Sequence, residues 1–145
     1  MKIAFACDHG GFPLRDIILE YLLQAGHEII DYGAQEFMPL DDFPDYATQV
    51  SNALIHHKAD RGILVCGTGI GMSIAANRHP SIRAVVAYRP EIATISRSHN
   101  DANIICFWAR TMDIKTVLSA LENFLTEKFI GGKYQKRNEK LECSC

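Results

Sequence analysis

The chain has 145 residues, 48% of them hydrophobic and 22% charged, which is the size and composition of one compact domain able to bury its own core. Fifteen Lys and Arg against seventeen Asp and Glu leave a formal charge of −2, too little positive field to hold nucleic acid or an anionic membrane. Apolar runs such as Ile3 to Cys7 and Ile63 to Cys66 fall far short of the roughly 20 residues of a spanning helix, and Asp8 ends the first of them too soon for an export signal with a cleavage site, so the expected location is the cytoplasm.

In chain order, short apolar runs alternate with longer amphipathic ones. Ile3 to Cys7 reads as a buried strand. Phe12 to Gln24 reads as a helix with apolar Leu14, Ile17, Ile18, Tyr21 and Leu22 at three- and four-residue steps, stopped by Gly26. His27 to Tyr32 is a second strand, and Gly33 to Phe43 the one long polar connection. A helix opens at Pro44 and runs to about His57. Ile63 to Cys66 is the third strand, the glycine-rich Gly67 to Gly71 breaks the chain, and a short helix covers Met72 to Asn77. Arg83 to Ala87, Pro90 to Ser98, Ile104 to Phe107 and Ile114 to Phe129 continue as strand, helix, strand and helix. Gly131-Gly132 sets off a last segment, Lys133 to Cys145, in one domain covering residues 1–145.

Five strand-helix units in succession predict an α/β fold: a Rossmann-like three-layer α/β/α sandwich on a five-stranded parallel sheet, with right-handed crossovers. In such folds ligands bind beyond the carboxyl ends of the strands, so the residues standing there carry the functional reading.

After the first strand, Asp8, His9, Gly10 and Gly11 put a carboxylate and an imidazole where a helix offers free N–H groups. They could seat a proton donor and an anion, or be a helix cap beside a solvated His. After the third strand comes Cys66-Gly67-Thr68-Gly69-Ile70-Gly71. Three alternate glycines allow close backbone approach, and the helix start that follows favours a thiolate at Cys66, a candidate base or nucleophile. The plain alternative is a Cys that ends an apolar strand. Three familiar loops do not fit. Met72 occupies both the sixth position of a dinucleotide fingerprint and the Arg position of a cysteine phosphatase loop, and the Gly-Lys-Ser/Thr of a triphosphate loop is missing.

Ser96-Arg97-Ser98-His99-Asn100-Asp101 forms a polar cluster before the fifth strand, readable also as a plain helix C-terminus. Lys128, Lys133, Lys136, Arg137 and Lys140, five of the fifteen basic residues, gather near the end, as a phosphate grip or a solvated face. The cysteines are five, an odd number, with Cys7, Cys66 and Cys106 in apolar runs, which implies no disulfide framework. Cys143 and Cys145 lack a second ligand pair at zinc-like spacing, so they read as tail.

Together these stretches resemble the type B ribose-5-phosphate isomerase family, which includes allose- and galactose-phosphate isomerases. The resemblance rests on Cys7-Asp8-His9-Gly10-Gly11, Asp42-Phe43-Pro44-Asp45-Tyr46-Ala47, Cys66 to Gly71 with Ala75-Ala76-Asn77, Ser96 to Asn103, and Gly131 to Arg137, in that order along nearly the whole chain. It implies interconversion of ribose 5-phosphate and ribulose 5-phosphate, without metal or organic cofactor, by a homodimer often paired into tetramers. Carried over by residue, it makes Cys66 the base, assisted by Thr68, with the amides of Gly67, Thr68, Gly69, Ile70 and Gly71 holding the enediolate. His99 would open the sugar ring, with Asp8 moving protons at the ring oxygen. His9, Arg110, Lys133 and Arg137 would hold phosphate and Asn100 the sugar, and the basic segment 131–145 would reach the partner subunit. This chain departs from the family at Lys133-Tyr134, where Arg-His is usual, and at Phe43, where Tyr is usual; Lys offers a point charge in place of a fork. The residues by themselves leave open a hexose-phosphate isomerase, or a phospho-ligand or flavin-binding module of the same fold.

Overall fold

The computed structural model describes residues 1–142. Cys143 and Cys145 lie outside the described residues. Five strands form one all-parallel sheet in the order β2-β1-β3-β5-β4, with β1 Lys2–Cys7, β2 Glu28–Asp31, β3 Arg61–Cys66, β4 Ala84–Val86 and β5 Ile104–Trp108. Helices α1 Phe12–Gln24, α2 Phe43–Ile55, α3 Ile70–Ala76, α4 Pro90–Asn100, α5 Ile114–Thr126 and α6 Lys133–Glu142 complete it.

The three central strands are almost wholly buried, β1 and β3 in all but their first residue, as expected of strands covered on both faces. Alternation along them sorts the core into two layers. Ile3, Phe5, Ile63, Val65, Ile105 and Phe107 pack with α1 and α5 on one side, and Ala4, Ala6, Leu64, Cys66 and Cys106 pack with α2 and α3 on the other. Cys7 and Cys66 therefore point to opposite faces although their strands are neighbours. On α1 the stripe Leu14, Ile18, Leu22 is buried, while Ile17 stays 44% exposed.

From β1 the chain crosses to one side to form β2, and β3 returns to the other side of β1. The loops after β1 and β3 thus run apart and leave a crevice at the carboxyl end of the sheet, the usual ligand position of open α/β sheets. At that end the two loops also touch: a Cβ on Gly10 would stand 2.7 Å from the Gly67 nitrogen.

Several expected boundaries move. β3 begins at Arg61 rather than Ile63, and β4 keeps only Ala84–Val86. The short helix begins at Ile70 rather than Met72, because Gly69 takes the left-handed conformation (φ +72°) and turns the chain early. α4 runs on to Asn100, so His99 lies in its last turn, and Lys133–Glu142 of the last segment form a helix, α6.

Candidate active site

At the end of β1, Asp8 is buried and its Oδ1 accepts the Gly11 N–H at 2.9 Å. Burial pushes its carboxyl up from the ordinary value, against the opposing pull of the Gly11 amide and the His9 charge. His9 has its backbone N–H on Asp41 Oδ1 at 3.0 Å and its ring Nδ1 on the same oxygen at 2.6 Å. The Asp41 side chain is only 6% exposed, and the Tyr46 hydroxyl donates to its Oδ2 at 3.0 Å. The bond to Asp41 raises His9 above its ordinary pKa; the Asp8 and Asp41 charges add to this, while desolvation and Arg110 oppose it. Burial works to raise Asp41, but the His9 amide and ring and the Tyr46 hydroxyl outweigh it and hold the carboxyl low. Burial, then Asp41, pushes the Tyr46 phenol up to about 12.

At the end of β3, Cys66 is 4% exposed and its Sγ accepts the Gly69 N–H at 3.0 Å. The left-handed Gly69 aims that amide back at the sulfur. The Ile70 N–H reaches Thr68 Oγ1 at 3.4 Å. The Arg110 guanidinium covers Gly67, its Nε 3.0 Å from where a Cβ would stand, and the Phe43 ring covers Gly71 within 2.8 Å of the equivalent point. Cys7 and Cys106 are core thiols: burial pushes Cys7 up to about 12 and raises Cys106 as well. Asp8, His9, Cys66, Thr68, the glycine loop and Arg110 thus meet at the carboxyl edge of the sheet.

The remaining expected residues do not join them. α4 ends with Asp101 in the left-handed region (φ +48°), a conformation Asp tolerates through local hydrogen bonds. Arg97 Nη1 holds the Asp101 carboxylate and the Ala102 carbonyl at 2.7 Å each. Arg83 joins Asp101 Oδ2 at 3.1 Å to Glu142 Oε1 at 2.8 Å, and the Ser81 N–H donates to Glu142 Oε2 at 3.1 Å. These bonds dock α6 against α4. The Tyr134 ring then stacks on His99, with Lys133 Nζ 5.2 Å and Arg137 Cζ 5.9 Å from its centroid. Asn100, Lys133 and Arg137 are exposed. This second cluster sits beside the start of β5, and Cys66 pairs with Trp108 at the end of that strand. The four residue steps from Ile104 to Trp108 are about 13 Å at 3.3 Å per residue.

Asp41 and Tyr134 touch the expected site residues His9 and His99, and Tyr46 and Arg83 in turn hold Asp41 and Asp101, yet the sequence reading gave none of the four a role there. Asp41 looks like a solvated charge before a helix, and its His9 contact spans 32 positions. Among the described residues no three His, Cys, Asp or Glu side chains stand together as metal ligands, and no helix is long and apolar enough to cross a membrane.

The family model described as Ribose/Galactose Isomerase matches residues 3–141. A protein of Escherichia coli (strain K12) named ribose-5-phosphate isomerase B is 43% identical over 138 residues, 95% of this chain and 92% of that one. The structure of ribose-5-phosphate isomerase B from Clostridium thermocellum superposes with a TM-score of 0.95 at 39% identity, covering 98% of this chain and 95% of that one. The enzyme of that name from Mycoplasma genitalium, solved with bound ribulose-5-phosphate, superposes with a TM-score of 0.93 at 33% identity over 98% and 94% of the two chains. Matched from end to end in both sequence and fold, the chain belongs to the ribose/galactose isomerase family.

Proposed function

We propose that this protein interconverts ribose 5-phosphate and ribulose 5-phosphate through an enediolate, in the cytoplasm and without a cofactor. The observation that carries the reading is the Gly69 N–H on Cys66 Sγ at 3.0 Å, within the glycine loop that follows β3. Preorganised amides are suited to negative charge that develops during reaction. In the open-chain aldose the Cys66 thiolate takes the C2 proton, and the electron pair moves toward the C1 oxygen. The loop amides from Gly67 to Gly71 hold the resulting oxyanion, and Thr68 steadies the base. A proton then passes from O2 to O1, and Cys66 returns its proton at C1, leaving the ketone at C2.

His99 opens the furanose by taking the C1 hydroxyl proton, while Asp8 supplies one to the ring oxygen; the raised pKa of Asp8 favours its protonated form for that step. His9, Arg110, Lys133 and Arg137 hold phosphate and Asn100 a sugar hydroxyl. A gap of about 13 Å between the two edges is more than one side chain spans, so the reading requires a homodimer, which pairing could extend to a tetramer. In the dimer a two-fold axis sets the His99 edge and basic segment of one subunit against the Cys66 edge of the other.

The test is an isomerase assay with ribose 5-phosphate, allose 6-phosphate and galactose 6-phosphate side by side. Ribose 5-phosphate is expected to have the highest kcat/KM; turnover of a hexose phosphate alone would overturn the substrate assignment.

A further inference from the structure

We propose that Asp41 is a positioning residue that keeps His9 charged and aimed for phosphate binding. The inference rests on the phospho-sugar reading above. Asp41 Oδ1 receives both the His9 backbone N–H and ring Nδ1, and Oδ2 is engaged by the Tyr46 hydroxyl, so both carboxylate oxygens are occupied and the group is nearly buried. With Nδ1 fixed, no partner of Nε2 stands among the described residues, and the ring is about a third exposed on the crevice side where Arg110 also lies. A carboxylate on Nδ1 stabilises the imidazolium, which then donates from Nε2 to an anion.

Other charges facing this pair are few. Asp8 at the end of β1 favours the protonated ring when it is itself ionised, Arg110 beyond β5 opposes it, and the Tyr46 phenol and buried Cys7 thiol, both raised to about 12, stay neutral near pH 7. The sign follows. His9 is cationic below its raised pKa and loses its charge as pH rises through it, so Asp41 extends phosphate binding to higher pH. The device offsets the point charge of Lys133 where a guanidinium fork is absent.

Asp41→Asn tests this, because the amide oxygen still accepts from His9 while the charge is lost. NMR titration of the His9 ring should give a lower midpoint in the variant than in the wild type. Inorganic phosphate, titrated calorimetrically, should bind the variant about fivefold more weakly at a pH between the two His9 midpoints. Below both measured midpoints, where His9 is protonated in either protein and the Asp41 charge no longer repels the anion, the variant should bind as well or better. A His9 midpoint unchanged by the substitution, or a ratio of affinities that does not vary with pH, overturns the proposal. Neither measurement uses turnover, so a wild-type protein that binds phosphate without isomerising ribose 5-phosphate refutes the functional reading and leaves this test standing.

Discussion

The His99 imidazole lies flat on the Tyr134 ring, their centroids 4.1 Å apart and their planes 8° from parallel. Stacking of this kind is worth about 1 kcal/mol and fixes the azimuth of a ring that one helix turn alone leaves free to rotate. Tyr134→Ala is expected to slow turnover of ribose 5-phosphate up to about tenfold, and Tyr134→Phe to retain most of the rate. Ribulose 5-phosphate cannot close a furanose, so exchange of its C1 proton with deuterated water needs no ring opening. That exchange should change far less in Tyr134→Ala; equal losses in both assays would assign Tyr134 a general structural role.

Cys66→Ala should abolish exchange of the substrate C2 proton while ligand binding stays close to wild type. Cys106→Ala should keep the exchange and lower stability by roughly 1 kcal/mol, since Cys106 is fully buried between α2, α3 and the sheet. Isotope exchange followed by mass spectrometry separates the two, and exchange persisting in Cys66→Ala would exclude it as the base.

Phosphate binding by α6 predicts opposite responses at two neighbouring positions. Arg137→Ala should raise KM for ribose 5-phosphate by about tenfold or more, the loss of a charge-assisted contact. Lys133→Arg should preserve or lower KM by restoring a bidentate donor. Steady-state kinetics decide the matter; an unchanged KM in Arg137→Ala would remove the helix from the phosphate site.

A site shared across the two-fold predicts complementation. Inactive Cys66→Ala and His99→Ala subunits, mixed and reassociated, should recover up to about a quarter of wild-type activity, because half the dimers are mixed and each holds one intact site. No recovery, with subunit exchange verified by mass, would mean that one chain completes its own site.

The central strands could be read from their residues because strands buried on both faces are continuous apolar runs, and the glycine loop marked the end of β3. The helix α6 offered no such signal. Its residues are mostly charged, with Asn138 alone buried, and its place comes from Glu142 meeting Arg83 and Ser81, some 60 positions earlier. Asp41 escaped notice for the same reason, since its partner His9 is brought near only when the loop before α2 folds over the end of β1. Cys66, Asp8 and His99 could be picked out one by one. Their separation onto two edges followed from strand direction, because the first two end strands and the third precedes one.

Arg83 joins two helices into a single block. One end of its guanidinium grips the carboxylate that terminates the His99 helix, and the other grips the carboxylate near the end of the helix bearing Lys133 and Arg137. On the proposed reading His99 and the two α6 cations therefore travel together, and a docking subunit would offer its neighbour a half-site whose internal spacing was set before the encounter. Small errors in docking would displace that half-site as a whole relative to Cys66, while the spacing between His99 and the α6 cations stayed constant.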